Sequence, residues 1–322
     1  MLVMGPQAID YPRAISARAH QAPRARQGTY SIVARDPATG ELGVAVQSHW
    51  FSVGPIVPWA RPGVGAVATQ ANVDPAYGPR ALDLIEAGAA APQALAQLVA
   101  ADDAAASRQV AVVDATGRVA AHTGEECIAY AGDVAGEGVS CQANIMASDR
   151  VWPAMLETYE ATGGPMALRL LAALDAAGDE GGDIRGRQSA AILVVPAQGE
   201  SWETTVSLRV EDDPEPLQEL RRLLVLHDAY ELANDGDALV ADGRHEEAAA
   251  MYRRASDLAP GNHELRFWAG LGAAQAGDWE TAMGDVRAAI ALQPGWLELL
   301  PRIPQAFAPA APAVLARLRE QA

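Results

Sequence analysis

The last third of the chain contains two consecutive 34-residue segments of one pattern, residues 229–262 and residues 263–296. Small residues, leucine and proline recur at matching places in both segments. The matching pairs are Gly236 and Gly270, Gly243 and Gly277, Ala248 and Ala282, Ala255 and Ala289, Leu258 and Leu292, and Pro260 and Pro294. A fixed period of this length is typical of stacked helix pairs, in which glycine and alanine allow close packing and proline ends the second helix. The repeat therefore predicts an all-α region.

The 34-residue spacing resembles that of tetratricopeptide repeats. Two such repeats bury little surface by themselves, so we expect capping helices from residues 217–230 and residues 300–322. The boundary to the preceding domain falls near residues 212–216. The predicted organisation is an N-terminal arm or propeptide (1–28), an α/β domain (29–212) and a helical repeat domain (217–322).

Upstream of the repeats, strand patterns and helix patterns come in blocks. Strand patterns cover residues 29–36, 41–48, 63–71, 108–124, 186–196 and 203–212, helix patterns cover 77–88, 91–102, 149–161 and 165–178, and residues 125–147 look irregular and glycine-rich. The first two strands, joined by a short Pro/Gly turn, are typical of an antiparallel hairpin. Because this order is not the strict alternation of a parallel sheet, it predicts an α+β fold. We expect two antiparallel sheets stacked between helical layers.

Composition excludes several classes of partner. The net charge is −17 and the pI about 4.7. Such an acidic surface repels phosphate backbones and anionic membranes, so we expect neither nucleic-acid nor membrane binding. No stretch reaches the roughly 18–20 apolar residues of a membrane span, and residues 1–28 lack the apolar core of a secretory signal. We therefore expect a cytoplasmic protein.

Cysteine and histidine give no sign of a metal centre. Cys127 and Cys141 are too few for a disulfide framework, and the six histidines do not cluster with carboxylates. His49 follows Ser48 directly, and neighbours on a strand point to opposite faces, so no Ser–His–Asp triad is indicated. We predict neither a metal nor an organic cofactor.

Thr29, directly after Gly28, opens the first predicted strand. A threonine at this place is commonly only a strand residue. The alternative is an N-terminal nucleophile, in which the hydroxyl attacks and the residue's own α-amine is the general base. A free α-amine has a pKa of about 8, which suits a general base at neutral pH. Thr29 would have to be freed, by self-cleavage after Gly28 or by removal of an initiator Met from a shorter chain.

Several ordered motifs within residues 29–211 resemble the DUF1028 family, a branch of the N-terminal nucleophile hydrolase superfamily. They are TYSIVARDPATGELGVAVQS, VGPIVPWARPGVGAVATQ, YGPRALDLIEAG, RQVAVVDATGRVAAHTG and GGDIRGRQSAAILVV. The resemblance implies a four-layer αββα sandwich and places Thr29 where the nucleophile would lie. Some relatives carry a C-terminal segment described as peptidoglycan-binding. Residues 217–300 would correspond to it, although here they have the pattern of helical repeats.

Polar residues at strand ends supply the other candidates. Ser48 and Asn144 are candidate catalytic residues, because a hydroxyl beside the nucleophile and an amide donating to an oxyanion both assist acyl transfer. Arg185 has a planar fork that suits a substrate carboxylate. Each also has a structural interpretation, as a strand-end hydroxyl, a turn-capping amide or half of an Asp183–Arg185 ion pair. The candidate substrate-binding residues are Gln70, Asn72, Arg35, Asp183 and Arg185.

Two functions stay open from the sequence. One is an amide hydrolase in which Thr29 cleaves a C–N bond of a small or peptide-like substrate. The alternative is a non-catalytic protein on the same fold whose helical repeats bind a protein or peptide partner. Sheets of this kind often associate, so we expect a homo-oligomer.

Overall fold

A computed structural model describes residues 28–320 of the 322-residue chain. The predicted arm, apart from Gly28, lies outside the described residues. The chain divides into two compact units between Pro216 and Leu217. Strands of the first unit are β1 (Thr29–Arg35), β2 (Leu42–Ser48), β3 (Pro58–Arg61), β4 (Gly65–Ala71), β5 (Arg108–Asp114), β6 (Val119–Thr123), β7 (Gly132–Gly136), β8 (Val139–Asn144), β9 (Ser189–Val195) and β10 (Val206–Val210). Its helices are α1 (Tyr77–Glu86), α2 (Ala91–Ala100), α3 (Val151–Ala161) and α4 (Met166–Asp179), with a 3₁₀ turn at Ala105–Ser107.

The strands form two antiparallel sheets. One has six strands in the order β10-β9-β2-β1-β8-β7, and the other has four in the order β3-β4-β5-β6. Helices α1 and α2 pack on the four-stranded sheet, α3 and α4 pack on the six-stranded sheet, and β1, β2 and β8 contact strands of the other sheet. The first unit is therefore α+β with antiparallel sheets, as the order of sequence patterns predicted.

The alternation in β1 directs its side chains to two different layers. Ser31 hydrogen-bonds to Gln70 of the other sheet, and Val33 belongs to the apolar cluster between the sheets. Tyr30 points the opposite way, toward the end of α4, where its hydroxyl lies 3.8 Å from a Cβ position built on Gly178. Both faces of this strand are buried.

Residues 125–147 are not irregular, as the sequence suggested, because they contain β7 and β8. Strand β8 pairs with β1 in the middle of the sheet. Glycines that look like loop residues are needed where α3 passes close to β7. A Cβ at Gly132 would lie 2.5 Å from Cζ2 of Trp152, and one at Gly136 would lie 2.6 Å from Oε1 of Glu160. Strand β3 was also missed, since its four residues begin at a proline.

The second unit is helical. Its helices are α5 (Pro216–Ala241), α6 (His245–Leu258), α7 (His263–Gln275), α8 (Trp279–Leu292), α9 (Gly295–Leu299) and α10 (Ala311–Glu320), with a 3₁₀ turn at Leu300–Arg302. The predicted cap at residues 217–230 is not a separate helix, because α5 runs on through it into the first repeat. No break is needed there, since glycine and proline are absent from residues 217–235. No helix in residues 28–320 is long and apolar enough to cross a membrane.

Two matching glycines of the repeat lie at close helix crossings. A Cβ at Gly236 in α5 would lie 2.8 Å from Cε1 of Tyr252 in α6. A Cβ at Gly270 in α7 would lie 2.8 Å from Cγ2 of Val286 in α8. In both pairs the partner follows sixteen residues later, so the two contacts are equivalent positions of the repeated pattern. The small residues are therefore explained by the approach of one helix to the next.

We expect Gly270→Ala to lower the free energy of unfolding of the helical unit by about 1–3 kcal/mol, because its methyl group would overlap Val286. Gly284 in α8 is the matched control, since a Cβ there meets nothing within 4 Å. Gly284→Ala should instead stabilise by up to about 1 kcal/mol through helix propensity. Urea unfolding measures both effects. Equal effects of the two substitutions would contradict the close crossing.

Asp114 connects the β5–β6 turn to the start of α2. Its buried carboxylate accepts hydrogen bonds from the Ala91 backbone N–H at 3.0 Å and from the Thr116 hydroxyl at 2.6 Å, and it pairs with Arg118 at 2.8 Å. Burial by itself would raise the pKa of Asp114, but the hydrogen bonds from Thr116, Ala91 and Arg118 outweigh it and hold the pKa below its ordinary value. A carboxylate at a helix N-terminus also suits the helix dipole.

Because the pKa of Asp114 is lowered by folding, its carboxylate stabilises the fold above the unfolded value of roughly 4 and loses that effect as pH falls through the folded value. Asp114→Asn should therefore lower the free energy of unfolding by about 1–3 kcal/mol at pH 7. That difference from wild type should shrink below pH 4. Urea unfolding at several pH values, with exposed Asp103→Asn as control, measures it. A difference that is unchanged at pH 2.5 would rule out this role.

Candidate active site

Thr29 lies in the middle of the six-stranded sheet, at the end where three polar residues meet in register. It is paired across the strands with Ser48 of β2 and with Asn144 of β8. Alternation along β1 places it on the same face as Ser31, which faces the four-stranded sheet. The Thr29 side chain is buried, and its Oγ1 lies 3.0 Å from Oγ of Ser48.

The carbonyl oxygen of Gly28 accepts two hydrogen bonds at this place. The Ser48 hydroxyl donates at 2.5 Å, and Nη2 of Arg185 donates at 3.0 Å. A serine hydroxyl has only one proton, so the Thr29 hydroxyl must be the donor in its contact with Ser48. The hydroxyls thus form a directed chain from Thr29 through Ser48 to the Gly28 carbonyl. This chain and the guanidinium polarise the bond between Gly28 and Thr29.

Asp183 and Arg185 form an ion pair beside Gly28. The two side chains are joined by bonds of 3.0 Å from Nε and 2.7 Å from Nη2 of Arg185. The Asp183 carboxylate also accepts the backbone N–H groups of Arg185 and His49, at 2.9 Å and 3.2 Å. Asp183 is buried, whereas the Arg185 side chain is 30% exposed. The ion pair expected as the structural alternative is therefore present, and it also holds the guanidinium on the Gly28 carbonyl.

Below Thr29, three side-chain amides connect the two sheets. Gln70 donates from Nε2 to the Thr29 carbonyl oxygen at 3.2 Å and to Oε1 of Gln109 at 2.8 Å. Asn144 donates to the same Gln109 oxygen at 2.9 Å. The Gln109 Nε2 in turn donates to the Ala143 carbonyl at 2.9 Å. Since all three amides are buried, this network fixes the position of Thr29 relative to both sheets.

Two residues that follow this network have left-handed backbone conformations. Ala71, after Gln70, has φ 65°, and Ile145, after Asn144, has φ 61°. Residues with a Cβ rarely adopt such values, and they tend to cluster at functional sites. Ala71 is the last residue of β4 and Ile145 is the first residue after β8, and the residue before each has a polar side chain that reaches the Thr29 region. This strain is consistent with a functional site at this end of the sheets.

Two predicted substrate-binding residues are not part of the group. Arg35 is at the other end of β1, about 20 Å from Thr29 at roughly 3.3 Å per residue. Arg35 and Thr29 lie on the same face of β1, but the seven-residue strand separates the two side chains. Asn72 comes two residues after Gln70, but its amide donates to the Ser107 hydroxyl at 3.0 Å. Ser48, Asn144, Gln70, Asp183 and Arg185 are brought around Thr29, as described above.

Gln109 was not among the site residues predicted from the sequence. One feature of the sequence could have identified it. In RQVAVVD, Gln109 lies on the same strand face as Ala111 and Val113, which belong to the apolar core between the sheets. An amide on the core face of a strand requires a partner, which local sequence does not identify. Ser31 and Gln142 extend the same network, with a bond of 2.6 Å between them.

Other nucleophiles near this site are poor alternatives. Burial raises the pKa of the Cys141 thiol in β8 and that of the Tyr30 phenol, so both are protonated at neutral pH. Cys127 donates its S–H to the Arg108 carbonyl oxygen. Within residues 28–320, no three His, Cys, Asp or Glu side chains gather around a possible metal position.

Comparison with known proteins gives a match that begins at Thr29. The family model described as "Family of unknown function (DUF1028)" matches residues 29–220. A crystal structure of a DUF1028 protein from Silicibacter pomeroyi is 32% identical, covers 61% of this chain and 84% of its own, and has a TM-score of 0.57. Anbu, the ancestral beta-subunit, from Yersinia bercovieri is 11% identical over 61% of this chain and 92% of its own, with a TM-score of 0.31. Comparison with curated proteins gives no match.

We expect Gln109→Leu to lower the free energy of unfolding by about 2–4 kcal/mol, because Gln70 and Asn144 would each lose an acceptor in a buried region. Gln97→Leu is the matched control, since Gln97 is exposed on α2, and it should change stability by less than about 0.5 kcal/mol. Urea unfolding of the two variants measures the difference. If Gln109→Leu were as mild as the control, the network would not hold the sheets together.

Proposed function

The chain belongs to the DUF1028 family, a family of unknown function, and on that premise we propose that it is an N-terminal nucleophile hydrolase. The proposed reaction is cleavage of a C–N amide bond in a small or peptide-like substrate by the Thr29 hydroxyl. The observation that carries the proposal is the hydrogen-bonded chain from Thr29 through Ser48 to the Gly28 carbonyl, completed by Arg185. No metal or organic cofactor takes part in this mechanism.

The first step we propose is release of Thr29 itself. While Gly28 is attached, the Thr29 nitrogen is an amide and cannot accept a proton, and the side chain is buried. Thr29 Oγ1 attacks the Gly28 carbonyl carbon while its proton passes through Ser48 to the carbonyl oxygen, which gives a neutral tetrahedral intermediate whose oxygen Arg185 also contacts. The carbonyl then re-forms, the C–N bond breaks, the proton of the intermediate's hydroxyl passes to the leaving nitrogen, and an ester joins Gly28 to Thr29 Oγ1. Water hydrolyses this ester and leaves a Gly28 carboxylate and a Thr29 amine.

The released amine then serves as the general base for substrate turnover. It takes the hydroxyl proton as Thr29 attacks a substrate carbonyl, and it returns the proton to the leaving amine. Ser48 and Arg185, no longer bound to Gly28, donate to the developing oxyanion, a role worth about 3–4 kcal/mol for one good donor. Gln70 and Asn144, positioned by Gln109, hold the Thr29 backbone and its neighbouring strand.

The fold supports this proposal at a coarser level. Two stacked antiparallel sheets, each with its own pair of helices, fit the four-layer αββα sandwich of the superfamily. For the helical unit we propose tetratricopeptide-like repeats, supported by the equivalent crossings at Gly236 and Gly270. Its role would be docking of a protein or peptide partner.

The second candidate function is a non-catalytic protein that acts through the helical unit alone. A cavity of about 840 Å³ in that unit favours it. The cavity lies between α5 and the α6–α7 connection, and its lining includes Arg222, Tyr230, Pro260 and Asn262. In this alternative the bond between Gly28 and Thr29 stays intact.

Intact-mass measurement separates the two candidates. The wild-type chain should lose residues 1–28, whereas Thr29→Ala should keep its full mass and lose amide turnover by on the order of 10³-fold or more. Thr29→Ser should retain both the cleavage after Gly28 and the amide turnover, because serine also carries a hydroxyl on its Cβ. Thr39→Ala, in the exposed turn after β1, is the control and should behave as wild type.

A wild-type chain that keeps residue 1 and turns over no amide would favour the second candidate. Turnover that survives Thr29→Ala would show that the nucleophile is another residue.

A further inference from the structure

The space around Gly28 describes the acyl side of the site. Gly28 supplies the acyl group of the bond that Thr29 is proposed to cleave, and its carbonyl oxygen already contacts Ser48 and Arg185. A substrate bound by Ser48 and Arg185 must place its own carbonyl oxygen at the position of the Gly28 carbonyl oxygen. Its α-carbon would then lie where the Gly28 α-carbon lies. The surroundings of that atom therefore limit which acyl groups fit.

Little room exists beside this α-carbon. A Cβ built on Gly28 would lie 2.6 Å from Oδ2 of Asp183, 2.8 Å from Cγ of Asp183 and 2.8 Å from Nη2 of Arg185. Ordinary van der Waals contact begins at 3.4 Å. A side chain of L configuration on this carbon therefore overlaps the ion pair.

Asp183 cannot easily move aside. Its carboxylate is held by the backbone N–H groups of His49 and Arg185 and by two bonds from the Arg185 guanidinium. Its backbone forms a bridge to Met146 and accepts the Gly186 N–H at 2.9 Å. Displacing this buried carboxylate would leave several of these groups without partners, which is unfavourable. The Asp183 carboxylate is thus held in place and does not behave as a flexible side chain.

We propose that the site accepts acyl groups without an L side chain on the α-carbon, such as glycyl and acetyl groups, and excludes L-alanyl and larger L-aminoacyl groups. This inference rests on the function proposed above and specifies its substrate class. Asp183 is the specificity-determining residue, and Arg185 and Ser48 hold the carbonyl oxygen.

Binding tests the inference without requiring turnover. A free carboxylate offers an oxygen at the position of the Gly28 carbonyl, so N-acetylglycine and N-acetyl-L-alanine are suitable probes. The protein is the chain that begins at Thr29, which keeps every described strand and helix, and its thermal unfolding is compared with that of the full chain. Calorimetric titration should show N-acetylglycine binding about 10- to 100-fold more tightly than N-acetyl-L-alanine.

An Asp183→Ala variant tests directly whether the Asp183 carboxylate excludes a side chain on the α-carbon. Removing Cγ and Oδ2 should bring the two affinities within about 3-fold of each other, even if both weaken as Arg185 loses its partner. Asp179→Ala, an exposed carboxylate at the end of α4, is the matched control and should keep the wild-type ratio. The ratio of affinities is the readout, so a general loss of binding does not imitate the effect.

Turnover of glycine and L-alanine p-nitroanilides by the same protein separates this inference from the proposed function. Selective binding without turnover of either anilide would contradict the proposed hydrolase activity but would support the selectivity for the acyl group. Equal binding of the two probes, or no binding of either, would overturn the selectivity. Turnover of both anilides at similar rates would overturn it as well, while supporting the hydrolase.

Discussion

The structure of the first unit depends on how two stacked sheets satisfy polar side chains that they bury between them. Most of the interface is apolar, from Val33 and Val44 to Ala66 and Val113. At one end, hydroxyls and amides replace the apolar side chains, and Gln109 takes bonds from both sheets. A buried network of this kind is stable only when each member has a partner, so it tolerates few alternative arrangements. Thr29 lies at this end, and the network holds its backbone in place through Gln70.

The same geometry explains how one residue could serve two successive reactions. With Gly28 attached, Ser48 and Arg185 bind the carbonyl oxygen of the chain itself. In the proposed reaction, cleavage of that bond would leave Ser48 and Arg185 beside the Thr29 hydroxyl and its new α-amine. Preorganised donors need no rearrangement between the two steps. The Asp183–Arg185 ion pair would act in both proposed reactions, because it positions the guanidinium and occupies the space beside the Gly28 α-carbon.

The helical unit is built on a separate principle. Its core comes from small residues that allow helices to approach, as Gly270 does against Val286. Larger residues such as Phe267 and Trp296, stacked at 4.5 Å, fill the space between the later helices. Each helix thus packs mainly against its neighbours along the chain, which is the arrangement that the proposed repeats would give. The catalytic proposal for Thr29 does not require this unit, and the partner-binding proposal does not require Thr29.

The sequence by itself determined the features that depend on local periodicity. These were the α+β order, the helical character of the last third and the place of Thr29 at the start of a strand. Strands β7 and β8 were not predicted, because Gly132 and Gly136 in β7 look like loop residues in the sequence. The structure shows that these glycines are needed where helix α3 packs closely on β7. Only the tertiary structure decided that Ser48, Asn144 and Arg185 meet at Thr29 while Arg35 does not. Contacts between residues more than a hundred positions apart depend on strand pairing and sheet stacking, and no local pattern encodes them.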